Sequence, residues 1–275
     1  MTSLITYSRT VLPRALMQRT ILLIILWLLA MISLPISKWI WGPAARPLAL
    51  TMGVALQTAA VFSVLAQAWG WRRALRTFFI VGSLSLLVEM VGSATGFPFG
   101  GYAYTGELQP QVGHVPLLIP LAWFMMLPTA WAVAARWRRR WLFVPLSALA
   151  LTAWDLMLDP QMVAWNLWQW DNPVGFFGIP WSNYAGWLLT AALLTLLARP
   201  RPLPVRPLLV IYTLTWFLET FGLIFFWGLA GPGLVGGGVM GFFVWLGWWS
   251  HLKTAVPSER RSLRQIMHAA VSKPE

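Results

Sequence analysis

The chain has no cysteine, only 8 acidic residues and only 3 histidines in 275 residues. Without cysteine there is no disulfide, no thiolate metal site and no iron–sulfur cluster. Three isolated histidines cannot build the His-rich boxes of a membrane di-iron oxygenase, and no Asp-rich cluster of the kind that holds magnesium diphosphate occurs. Charge of either sign is scarce, at 10% of residues, against 58% hydrophobic residues and a mean hydropathy of +0.66. A soluble fold of this composition would have to expose most of its Leu, Trp and Phe, so a water-facing globule is excluded.

What the chain has is long apolar runs. A helix needs about 20 apolar residues to cross a bilayer, and eight segments qualify: roughly 20–41, 47–70, 75–96, 116–136, 141–160, 180–198, 207–230 and 233–252. Lipid leaves the backbone to satisfy its own hydrogen bonds, and unbroken runs without alternation select helices over a barrel. The expected fold is an all-α, polytopic bundle of about eight transmembrane helices, one domain over 1–256, followed by a basic cytoplasmic tail over 257–275. The first run follows Arg9, Arg14 and Arg19 like a signal peptide, yet it continues to Trp41 without a small-residue cleavage site, so it reads as a retained first helix.

The formal charge of +12 does not point to nucleic acid, because the basic residues sit in the breaks between apolar runs. Alternate breaks differ sharply. One set holds the N-terminal arginines, Arg72, Arg73 and Arg76, Arg136 to Arg140 around Trp137, Arg199, Arg201 and Arg206, and the tail with Lys253, Arg260, Arg261 and Arg264; the other holds only Lys38 and Arg46. By the positive-inside rule the first set is cytoplasmic, which puts both termini on the cytoplasmic side of the cytoplasmic membrane. The opposite loops, about 97–115, 161–179 and 231–233, are rich in Gly, Pro and aromatics and read as structured caps at the outer interface. Two of them share a short pattern, GFPFGGYA at 96–103 and GIPWSNYA at 178–185, taken as similar local structure. GGGVMG at 236–241 fits a dinucleotide fingerprint by letter, but no strand precedes it, and close helix packing is the better reading.

Four of the acidic residues, Glu89, Asp155, Asp159 and Glu219, fall inside expected spans. An ionisable group in hydrocarbon costs roughly 2.5–3.5 kcal/mol on insertion scales and marks a candidate site. Asp155 and Asp159 stand four apart, on one helix face, so one of the two should hold a proton near neutral pH. Glu89 and this pair lie toward the outer ends of their spans and Glu219 nearer the middle; together they are expected to line one cavity beneath the aromatic loops. Pro160 is expected to end or kink its helix. His114, Asn183, Tyr102, Tyr104 and Tyr184 are further candidates for holding a water, a proton or a substrate oxygen, and the 20 Trp include residues able to face a cation. Each has a plainer reading: a carboxyl that locks two helices together, a histidine or tyrosine that anchors a loop at the interface, a tryptophan that belongs to the aromatic belt.

The stretches VEMVGSATGFPFGGYAYT at 88–105, HVPLLIPLAWFMM at 114–126, AWDLMLDPQM at 153–162 and GIPWSNYAGW at 178–187 resemble the membrane-embedded carotenoid biosynthesis family of carotenoid 1',2'-hydratases and bisanhydrobacterioruberin hydratases. The resemblance covers about 88–190 strongly and the rest mainly by hydropathy. It implies a lipophilic carotenoid substrate, addition of water across the terminal double bond of an acyclic end group to leave a tertiary hydroxyl, no redox cofactor and no metal, and association with membrane lipid and with other carotenoid enzymes. Residue roles follow from the chemistry. Hydrating such an alkene requires a strong acid to protonate the less substituted carbon, and a carboxylic acid kept neutral by burial is the natural donor. That role falls to Asp155 or Asp159, with the partner carboxylate or Glu89 orienting the water; Trp154, Trp165, Phe97 and Tyr102 are candidates for shielding the cation, and His114, Asn183, Tyr184 and Glu219 for holding the substrate. A bilayer-bound polyene is expected to enter sideways. Two other classes fit intramembrane carboxyls: a proton-coupled transporter and a non-catalytic carotenoid-binding protein.

Overall fold

The computed structural model describes residues 14–137, 139–200 and 202–254. Each apolar run within them forms a helix: α1 (Arg14–Trp41), α2 (Arg46–Trp69), α3 (Trp71–Thr95), α4 (Leu118–Ala134), α5 (Phe143–Ala164), α6 (Trp181–Ala198), α7 (Val205–Phe225) and α8 (Ala230–Thr254). The breaks are chemical. Gly70 at φ 82° joins α2 to α3, and α3 ends on Gly96 in the left-handed region, a conformation that costs glycine nothing. The basic tail expected over 257–275, like Arg138 and Arg201, lies outside the described residues.

Five of these helices or their immediate extensions are long and apolar enough to cross a membrane: Met17–Trp41, Pro43–Trp69, Trp71–Thr95, Val205–Phe225 and Ala230–Trp249. Their outer faces carry exposed apolar side chains such as Leu29, Phe79, Leu87 and Phe242, as an all-α bundle surrounded by lipid requires. The shorter α4 is the axis, buried at every residue from Trp123 to Ala134 and packed against α2, α3, α5 and α7.

Pro160 does not end α5, one of the two outcomes expected of it: the helix runs on to Ala164. The loss of one N–H leaves the turn intact because the true terminus is built downstream. Asn166 takes positive φ, and the amides of Asn166 and Leu167 return to the carbonyls of Val163 and Met162, closing a Schellman-type cap. α8 packs tightly here. A Cβ on Gly236 would stand 2.5 Å from Met157 Cγ and one on Gly237 2.6 Å from Thr220, so the GGGVMG run is a close-packing surface against α5 and α7.

The two long aromatic loops join each other. β1 (Tyr102–Tyr104) pairs antiparallel with β4 (Trp168–Trp170), with Tyr102 opposite Trp170 and Tyr104 opposite Trp168, while β2 (Gln111–Val112) and β3 (Val115–Pro116) form a separate small hairpin. Side chains alternate across a strand, so this register points Tyr102, Tyr104, Trp168 and Trp170 to one face, into the bundle, and leaves Ala103 and Gln169 outside. The matching patterns at 96–103 and 178–185 are not similar local structure: the first leaves a helix and enters a strand, whereas the second leaves a turn and starts α6. They touch instead, with the Ser182 hydroxyl donating to the Phe99 carbonyl at 3.0 Å. At the α1–α2 connection two cations sit over rings, Lys38 at 5.1 Å from the Trp227 centroid and Arg46 at 5.5 Å from that of Trp165.

Candidate active site

A cavity of about 500 Å³ opens beneath the aromatic ribbon, within the range of small-molecule sites. Its walls come from α1 to α7, its roof from Tyr102, Tyr104, Trp168 and Trp170. Glu89, Asp159 and Glu219 all reach it, whereas Asp155, expected to line the same cavity, does not. Ile32, Ile36 and Trp39 of α1 and Phe217 and Phe221 of α7 line the cavity and are also exposed on the bundle exterior. They mark an apolar mouth on the side of the molecule.

The carboxyls are held in three different ways. Glu89, on α3, is buried and accepts from three donors: the Tyr102 hydroxyl at 2.6 Å and the Tyr104 hydroxyl at 2.8 Å on Oε2, and Trp123 Nε1 at 3.0 Å on Oε1. A carboxylate offers about four lone pairs, so one on Oε1 is left. The two phenols are pushed well above their ordinary range, first by burial and then by the charge of Glu89, and they remain donors.

Asp155 and Asp159, one helical turn apart on α5, are bridged from α6 by Asn183. Its Nδ2 donates to Asp155 Oδ2 at 2.9 Å and to Asp159 Oδ2, while Trp168 Nε1 donates to Asp159 Oδ1 at 3.1 Å. Two carboxyls that share one amide nitrogen lie too close in a buried site for both to ionise readily. Asp155 is fully buried, does not line the cavity, and its Oδ1 has no partner; Asp159 faces the cavity. Glu219, on α7, accepts Trp154 Nε1 at 2.5 Å.

The other expected residues separate. Trp154 and Trp165 line the cavity, the latter edge-on to Trp227 at 4.8 Å. Tyr184 is buried behind the site among Phe176 and Trp181, its hydroxyl without a partner. Phe97 is 71% exposed, and His114 is exposed in the β2–β3 turn at φ 66°; neither reaches the cavity. Reading the sequence missed Trp123, Trp168 and Trp187, and it missed α1 and α7 as the mouth. The alternation in Tyr102–Tyr104 and Trp168–Trp170 was the signal for the roof.

Among the described residues no group of three or more His, Cys, Asp or Glu side chains is arranged to hold a metal ion. No solved structure matches the chain. Over 119 residues it is 37% identical to a bisanhydrobacterioruberin hydratase from Haloarcula japonica, a match that covers 40% of this chain and 39% of that protein. The chain therefore spans well under half of that relative's length. Residues 49–243, which carry every carboxyl of the cavity, match the family model described as carotenoid biosynthesis protein, and the chain belongs to that family.

Proposed function

We propose that this protein hydrates the terminal double bond of an acyclic carotenoid end group by acid catalysis. The observation that carries the reading is the Asp155–Asp159 pair, bridged by Asn183, of which only Asp159 opens to an apolar cavity. Asp159 presents the proton to the less substituted alkene carbon, and the π electrons form the new C–H bond. The tertiary cation left on the adjacent carbon is captured by water, held by the free lone pair of Glu89 Oε1. The oxonium then returns one proton to the carboxyl groups, so the sum is one water added and no electron transferred. Asp155 shares the proton with Asp159 through the α5 turn, and Asn183 fixes both carboxyls.

The substrate class is supported by the apolar walls and by the mouth between α1 and α7, through which the end group enters while the rest of the polyene stays in lipid. In this reading the arginine-rich loops hold both termini on the cytoplasmic side of the cytoplasmic membrane, and the hydroxylated product passes to the next carotenoid enzyme within the bilayer. The hydratase named in Haloarcula japonica favours the same reaction class. The test is expression in cells that accumulate lycopene or γ-carotene, followed by mass spectrometry of the pigments. The expected result is one water gained per modified end with the wild type and none with Asp155→Asn, Asp159→Asn; unchanged pigment with well-folded wild type sinks the proposal for those substrates.

A further inference from the structure

Three tryptophans from three helices form one wall of the cavity. Trp187 of α6 stacks on Trp123 of α4 with ring centroids 4.3 Å apart and planes 19° apart, and Trp154 of α5 meets Trp187 edge-on at 6.0 Å and 76°. All three are buried, and all three line the cavity. Their placement follows from sequence spacing. Trp187 stands four residues after Asn183 on α6, so the ring and the amide that bridges the two aspartates share a helix face. The wall therefore borders the position where Asp159 delivers its proton.

The outer members of the wall are each tied to a carboxyl: Trp123 Nε1 donates to Glu89 and Trp154 Nε1 to Glu219. An indole N–H that donates to a carboxyl oxygen carries more electron density on its ring, which strengthens the negative face that attracts a cation. Packing alone needs none of this, since Leu or Phe would fill the same space without an indole N–H to satisfy and without two ionisable groups inside the bundle.

We infer that the Trp123–Trp187–Trp154 wall stabilises the tertiary cation, with Trp187 in direct contact and Glu89 and Glu219 polarising its neighbours. The inference rests on the hydration reading. Protonation by Asp159 creates the cation against the Trp187 face, and the wall holds it until water adds from the Glu89 side. Trp187 is then catalytic in the transition state, Trp123 and Trp154 act through it, and Glu219 is a positioning residue acting through Trp154.

The test places tryptophan bearing increasing numbers of fluorines at position 187 by nonsense suppression. Fluorine drains the ring's negative face with little change of shape. The full-length enzyme in lipid vesicles is assayed for water addition to an acyclic carotenoid, with KM and thermal stability measured alongside. Log kcat falling linearly with fluorine number, by about tenfold across the series, at constant KM and stability, is the expected result. A kcat indifferent to fluorine in an enzyme that hydrates its substrate overturns the wall and leaves the hydration reading standing. An unsubstituted enzyme that hydrates none of the carotenoids offered takes both down.

Discussion

Glu89 and the Asp155–Asp159 pair lie under one aromatic roof, Glu89 and Asp159 facing one cavity with Asp155 behind it, and are held in opposite ways. Glu89 is supplied with three donors from two elements, β1 and α4, and those same bonds tie the ribbon to the bundle. The aspartates receive donors from Asn183 and Trp168 alone, one oxygen of Asp155 has none, and the two carboxyls crowd a single amide nitrogen. A satisfied carboxylate is a stable acceptor and an anchor; an under-supplied, crowded pair is a poised acid. The difference separates roles that four intramembrane carboxyls, read from sequence, leave alike.

The sharpest way to break this contrast is Asp159→Asn, which keeps shape and removes the acid that the proposed hydration requires. Hydration should fall about 10³-fold with folding retained, as measured by product formation per milligram of protein in vesicles. Next is Asn183→Leu, which takes the bridging donor from both aspartates at once. A loss near 10²-fold is expected, with the pH profile of kcat displaced, whereas a purely structural asparagine would lower the yield of folded protein and leave the profile in place.

Glu89→Gln should invert the pattern. It puts an amide N–H against donors that need an acceptor, so stability should drop by about 2 kcal/mol, read as a lower melting temperature in detergent, a far larger structural effect than Asp159→Asn produces. Smallest is Tyr104→Phe, which removes one of the three donors and costs about 1 kcal/mol. The folded-state pKa of the Tyr104 phenol is raised above its ordinary value of 10.0. Its contribution is therefore complete below pH 10.0 and is lost as pH rises toward the folded-state value. The wild type should lose stability more steeply than Tyr104→Phe above that pH, in melting curves taken along an alkaline series.

The helices were legible because lipid forces each apolar run to close its own hydrogen bonds, and the 153–162 stretch announced its aspartate pair by four-residue spacing alone. The roof was not legible in the same way. The Tyr104↔Trp168 pairing spans a gap of two helices, and strands three residues long carry too little pattern to declare their partner. Trp123 and Trp187 were hidden among 20 tryptophans, since the belt and the core use the same residue. His114 and Phe97 drew notice by type and by nearness to the motifs, yet backbone turns carry both out of the cavity. Pro160 misled because a rule for helix interiors fixes the loss of one N–H bond and does not fix where the cap lies.

The most direct test of the central claim is the origin of the new oxygen and hydrogen. Wild-type protein in lipid vesicles is given an acyclic carotenoid in heavy-oxygen water and, separately, in deuterated water, and the product is read by mass spectrometry. Acid-catalysed hydration predicts a hydroxyl that carries the heavy oxygen in the first case and one non-exchangeable deuterium on the neighbouring carbon in the second. A hydroxyl oxygen of normal mass in the heavy-oxygen water, or a product without carbon-bound deuterium, would contradict proton delivery by the Asp155–Asp159 pair.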